Sequence, residues 1–333
     1  LYGYESLDCP HDVAGFFLHG SARSVLLMGH AADRRARQGL WLGVAGVLMF
    51  ALTLPLTRLA GGTVEAPQLP PAWVALARAA VAGLLSLGYL VAVRAPWPQR
   101  RQWLLLAIGG AGVVFGFPVC LGWAVREVEA VHAAVITGLL PLSTAVVGAL
   151  WLRQRPSAGF WACAGLGCAL VLGFAALQGG GRLSAGDGWL LLAVLSASTG
   201  YVAGARLAAQ GMPPEQVICW MLLLCLPINL PAALAGLHIH ADQLAQARPA
   251  AWAAFAYLAL VSMWLGFFAW YRGLAWGGAL RVSQVQLIQP FVSMLAAVPL
   301  LGETLEPVTL AFVAAVIATV LLGRRMAVGV PRR

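Results

Sequence analysis

Polar positions divide this 333-residue chain into ten long apolar runs. They lie near 39–60, 71–93, 103–124, 130–152, 159–177, 187–208, 215–236, 250–271, 280–301 and 306–323. Crossing a hydrocarbon core of about 30 Å takes about 20 helical residues, and each run reaches roughly that length. Helices are required, because backbone polar groups in lipid must be paired within the segment. No ten-residue alternation of the kind a barrel needs is visible. The expected fold is an all-α membrane protein with ten transmembrane helices.

The pattern also repeats. Residues 130–174 slide onto 279–323 at a shift of 149 without a gap, which lays Pro141 on Pro290 inside matching apolar runs. An earlier stretch repeats at a shift of 148, where Trp41, Ala45 and Arg58 meet Trp189, Ala193 and Arg206. Five spans per half is an odd number, so the second half enters the membrane from the opposite side. The expectation is two inverted five-helix repeats, 39–177 and 187–323, with a solute site between them.

Composition sharpens this reading. Apolar residues make up 61% of the chain and charged residues 10%, against the roughly 25% charged of soluble domains. The net charge of +9 comes entirely from arginine, with no lysine present. With loops assigned to alternate sides, sixteen arginines fall on the side of the termini. Only Arg58, Arg126, Arg182 and Arg248 fall on the other. That bias places both termini in the cytoplasm of an inner, or plasma, membrane. It also makes the basic charge a topology signal, so nucleic acid is not an expected partner. Residues 1–38 form a cytoplasmic tail without apolar periodicity, and Met28 is the expected start, which leaves 1–27 untranslated. Arg34-Arg35 reads as an anchor for the first span rather than a twin-arginine export signal. Residues 324–333 form a basic cytoplasmic tail. The six cysteines include no C-x-x-C and read as packing.

Particular residues carry a family likeness. The second half holds Trp270-Tyr271-Arg272-Gly273-Leu274, then Gln289-Pro290, then Gly302-Glu303-Thr304-Leu305. The first half is looser, with Arg153-Gln154 in place of Gly-Glu, and Glu127 and Glu129 in place of an aromatic and a small polar residue. Over roughly 39–323 the chain resembles the drug/metabolite transporter superfamily, and within it the ten-helix transporters built from two EamA domains. The resemblance implies alternating-access export of small organic metabolites, amino-acid-like, or of toxic compounds.

Buried polar residues are the candidate substrate contacts, since charges within spans are expensive and rare. Arg78 stands among alanines and valine. It is either an anion contact or gate within the cavity, or a structural arginine bonded to carbonyls or reaching past Pro70-Pro71. In the ninth span Gln286, Gln289 and Ser293 follow at helical spacing with Val282. They line a cavity or bond between helices. Trp264, Phe268 and Tyr271 recur at i, i+4 and i+7, joined by Trp123 and Tyr201. These are either a wall for a flat, amphipathic or cationic solute or interfacial anchors. The expected cavity is lined by Gln286 and Trp264 with Arg78 close by, and Pro141 and Pro290 serve as helix breaks or hinges.

No Asp or Glu lies deep in a span, and His132 is the one candidate for proton coupling, so no coupling ion follows. No catalytic set, metal site or cofactor motif is assembled: there is no H-E-x-x-H, G-x-S-x-G or Walker loop. The expected partners are a small-molecule solute and the lipid bilayer, with a homodimer left open. The competing classes are an integral membrane enzyme and a non-transporting membrane subunit.

Overall fold

The computed structural model describes residues 34–151, 155–178, 184–277, 284–325 and 328–329. The expected start at Met28, the 1–27 extension, Val282 and most of the C-terminal tail lie outside them. Among the described residues, seven helices are long and apolar enough to cross a membrane. They are α1 (Arg34–Gly61), α2 (Pro71–Ala92), α3 (Arg100–Glu127), α4 (Ala130–Trp151), α6 (Ala185–Ala209), α7 (Pro214–Ile239) and α8 (Pro249–Trp276). Three apolar helices are shorter: α5 (Ala158–Phe174), α9 (Val285–Leu301) and α10 (Pro307–Gly323). Each of the ten runs predicted from sequence falls on one of these helices. Described extended pairing amounts to Arg155-Pro156 against Val328-Gly329 and one bridge between Gly62 and Pro67.

Local chemistry sets the ends. Pro71 opens α2 where its missing N–H is not needed. Ser184 and Asp187 form a reciprocal capping box at the start of α6. Gly302 closes α9 at φ 72°, a left-handed turn that favours glycine. That turn aims Glu303 back toward α4.

Proline and widened turns interrupt the helices in a matching pattern. A π-helical turn runs over Gly110–Gly116 in α3, ahead of Pro118, and another over Leu258–Leu265 in α8. Their starts are 148 residues apart, the spacing of the sequence repeat. In α4 the helix breaks at Gly138-Leu139 just before Pro141, and in α9 a 3-10 stretch, Gln284–Ile288, precedes Pro290. Proline lacks a donor and its ring crowds the carbonyl one turn earlier, so loosening there is expected.

Packing pairs α2 with α7, α4 with α9 and α5 with α10, while α3 lies against α6 and α1 against α8. Small residues permit the closest approaches. A Cβ on Gly273 of α8 would sit 2.7 Å from the Gly43 nitrogen of α1, which is the close backbone contact of small-residue interfaces in membranes. One core joins α4, α5, α9 and α10 with part of α6; a second joins α3 and α7 with α1, α2 and α8. The site lies where these meet.

Candidate functional site

Arg78 sits about two turns into α2, on a helix whose neighbouring positions are alanine and valine. The side chain is therefore carried into the bundle, and the residue is only 4% exposed. One guanidinium nitrogen donates to the Met263 sulfur at 3.4 Å, and Nε has no partner. A thioether is a weak acceptor, so this contact does not neutralise the charge.

Arg78 faces a small cavity of about 40 Å³, room for a few water molecules. Its walls come from seven helices: Phe50, Thr53 and Leu54 of α1, Val113 and Phe117 of α3, Thr137 and Leu140 of α4, Ala197 and Tyr201 of α6, Ser262, Met263 and Phe267 of α8, and Gln289 of α9, with Arg78 of α2. The Thr53 and Ser262 hydroxyls are bonded to each other at 2.8 Å, which ties α1 to α8. A second cavity, about 20 Å³, adjoins it and shares Thr137, Leu140 and Gln289. Gln286, Pro141, Pro290 and Ser293 complete that wall, and Ser293 donates to the Ala51 carbonyl at 2.6 Å.

The structure thus brings Arg78, Tyr201 and Gln289 to one cavity, with Gln286 and both prolines in the next. Trp264, Phe268 and Tyr271 do not line the Arg78 cavity. Trp264 and Phe268 belong to an aromatic cluster in which Phe268 packs 4.7 Å from Trp264 and 4.8 Å from Tyr89, while Tyr271 packs 5.7 Å from Phe267. The Trp264 Nε1 and Tyr271 hydroxyl are buried there without a partner. Trp264 and Phe268 lie one position further along than Met263 and Phe267, on the neighbouring face of the same helix. Ser262, Met263 and Phe267 face the cavity instead. Trp123 is 39% exposed, with the Arg126 guanidinium 5.8 Å from its ring centre. Sequence reasoning did not single out Thr53, Thr137 or Ser262. A signal existed for the first, since Thr53 and Thr57 stand one turn apart in an otherwise apolar run.

At the end of the bundle where α1 and α9 stop and α4 starts, a polar lock ties these elements together. Glu303 accepts from the Ala130 and Val131 N–H groups, both at 2.8 Å, which caps α4 from a distant turn. Arg58 lies 3.3 Å from the same carboxylate and donates to the carbonyls of Val125 and Val128. Burial pushes the Glu303 carboxyl up, while the two N–H groups and Arg58 oppose that shift. Nearby, His132 of α4 meets Asp187 of α6 at 2.6 Å. A smaller void under the lock is lined by Thr57, Gly61, Pro71 and, from below, Arg78.

A multi-pass helical membrane protein with a partly polar cavity among interrupted helices is a solute transporter in form. The chain belongs to the EamA-like transporter family, whose profile matches twice, over residues 37–175 and 184–324. It is 40% identical over 288 residues to "Uncharacterized transporter YdeK" of Bacillus subtilis (strain 168), covering 86% of this chain and 97% of that one. It is 26% identical over 239 residues to "Probable terminal-alkyne amino-acid exporter" of Streptantibioticus cattleyicolor, covering 70% and 76%. A crystal structure described only as that of a protein shares the fold, at TM-score 0.55 and 21% identity over 86% of this chain and 98% of that one.

Proposed function

We propose that this chain exports small organic metabolites, amino-acid-like, or toxic compounds across an inner membrane by alternating access between two inverted five-helix halves. The observation that carries this reading is the cavity between the halves. Positions related by the repeat line it together: Thr53 with Tyr201 at 148 residues, and Leu140 with Gln289 at 149. The helix pairings of the fold stay the same when the halves are exchanged, α1 for α6 through α5 for α10. A site shared by two such halves can be exposed to either side by rocking one against the other. With cytoplasmic termini, the Arg58–Glu303 lock is the outer closure. Export as the direction draws support from a relative named as an amino-acid exporter.

Flux of pooled metabolites through proteoliposomes containing the purified protein tests the reading. Solute-selective movement that Gln289→Leu reduces is the expected result. Absence of movement for every pool would overturn it.

A further inference from the structure

We propose that the solute of the Arg78 cavity is a small carboxylate monoanion with an apolar body. The inference rests on the transporter reading above, since it names the chemical class that the same cavity receives. Its starting point is a guanidinium that is 4% exposed, with Nε unpartnered and a methionine sulfur as its one acceptor among the described residues. Buried charges are ordinarily paired, because an unpaired one forfeits its hydration. Among the described residues the ion pairs join Arg58 to Glu303, His132 to Asp187 and Arg272 to Glu215, and none includes Arg78. No acidic side chain lines any of the voids that Arg78 touches. The missing partner is an anion that arrives from outside the chain.

The repeat sharpens the charge. The two halves place matched residues around the cavity, yet α7, which answers α2, has no charged residue between Glu215 and His238. One cation therefore faces a site otherwise built in pairs, which fits a single negative charge rather than a phosphate dianion. The planar fork of arginine suits a carboxylate through two parallel hydrogen bonds. Opposite it, Phe50, Leu54, Phe117 and Phe267 offer an apolar wall. Thr53, Ser262 and Gln289 offer neutral hydrogen bonds but no charge to hold an ammonium group, so among the metabolites proposed above the site favours acids over amino acids. The cavity is small, so the solute is small, or the halves part to admit it.

Binding to the purified full-length protein in lipid nanodiscs decides the matter with matched probes. These are isobutyrate against isobutyramide, phenylacetate against phenylacetamide, and the cation 2-phenylethylamine. A charge-assisted hydrogen bond predicts that the carboxylates bind about tenfold or more tighter than their amides. The amine should not compete. Arg78→Gln should bring the carboxylates to the level of the amides, and Arg78→Lys should keep part of the difference. Equal binding of acid and amide, unchanged carboxylate binding in Arg78→Gln, or no binding of either acid overturns the proposal. Should Arg78→Gln fail to fold, the acid-to-amide ratio of the unaltered protein upholds or overturns the proposal by itself. Charge-selective binding without flux in proteoliposomes would sink the transport reading and leave the anion site standing.

Discussion

Gln289 and Trp264 separate cavity chemistry from packing at the level of single side chains. Gln289 lines both cavities and follows the 3-10 stretch that Pro290 loosens. Gln289→Leu should leave the protein inserted, because leucine is at home in lipid and in helix interfaces. Solute flux should fall at least several-fold, read beside an unchanged melting temperature. Trp264→Ala should do the reverse. Its ring packs on Phe268, so truncation removes buried area and leaves a gap, at about half the ~3–5 kcal/mol of a fully buried tryptophan. Thermal unfolding of the variant tests this, and normal stability with lost transport would return Trp264 to the binding site. The sequence allowed Arg78, Tyr201 and Gln289 to be picked out, because each is polar within an apolar run. It did not settle the choice along α8, since Met263-Phe267 and Trp264-Phe268 are neighbouring faces of one helix and both are apolar, so periodicity does not tell them apart. Phe267 and Phe268 are alike in composition, and only the packing of α8 against its neighbours decides which one faces the cavity.

Whole elements meet at the lock. Glu303 satisfies donors at the start of α4 that no helix can satisfy for itself, and Arg58 holds the last carbonyls of α3. The same two side chains thus join α1, α3, α4 and the turn between α9 and α10. The Gly302-Glu303 turn was visible as a motif, but its partner was not, because Arg58 and Glu303 are far apart along the chain. Arg58→Ala and Glu303→Gln should each loosen this end, since a buried pair broken on one side leaves the other partner uncompensated. Thr57 lies under the lock and is 5% exposed. A Thr57→Cys reporter should therefore react slowly with a membrane-impermeant maleimide. Adding either lock substitution should speed labelling about tenfold, which corresponds to a shift of ~1.4 kcal/mol between closed and open forms. An unchanged rate would mean that packing alone closes this end.

For the molecule as a whole, the proposed cytoplasmic placement of the termini would make the lock an outer gate. The warrant is the arginine distribution: the loops on the side of the termini hold sixteen, and the opposite side holds four including Arg58 itself. Loop charge acts during insertion, when basic segments resist transfer across the membrane, so it reports orientation rather than the final packing. Helix packing carries no such information. The bundle of α1 to α10 has the same internal contacts whichever way it is inserted, and the proposed inverted repeat would make its two ends alike in architecture. The lock breaks that likeness. Arg58 and Glu303 close one end, whereas Arg206, the repeat mate of Arg58, lies with its guanidinium 5.5 Å from the Trp151 ring centre. An arginine stacked on a half-buried ring contributes less cohesion than one shared by a carboxylate and two carbonyls. On the proposed alternating-access reading the two gates would be unequal, with the end bearing Arg58 held shut more firmly. In an exporter this asymmetry keeps the cavity closed to the exterior until solute enters from the cytoplasm. A reporter active only in the periplasm, fused after Arg333, should stay silent, and a reporter active only in the cytoplasm should work at the same position. The maleimide should label Thr57→Cys in the lock variants from outside intact cells. The opposite pair of reporter results would invert the molecule, make the Arg58–Glu303 lock a cytoplasmic gate, and reverse the direction of transport that its strength favours.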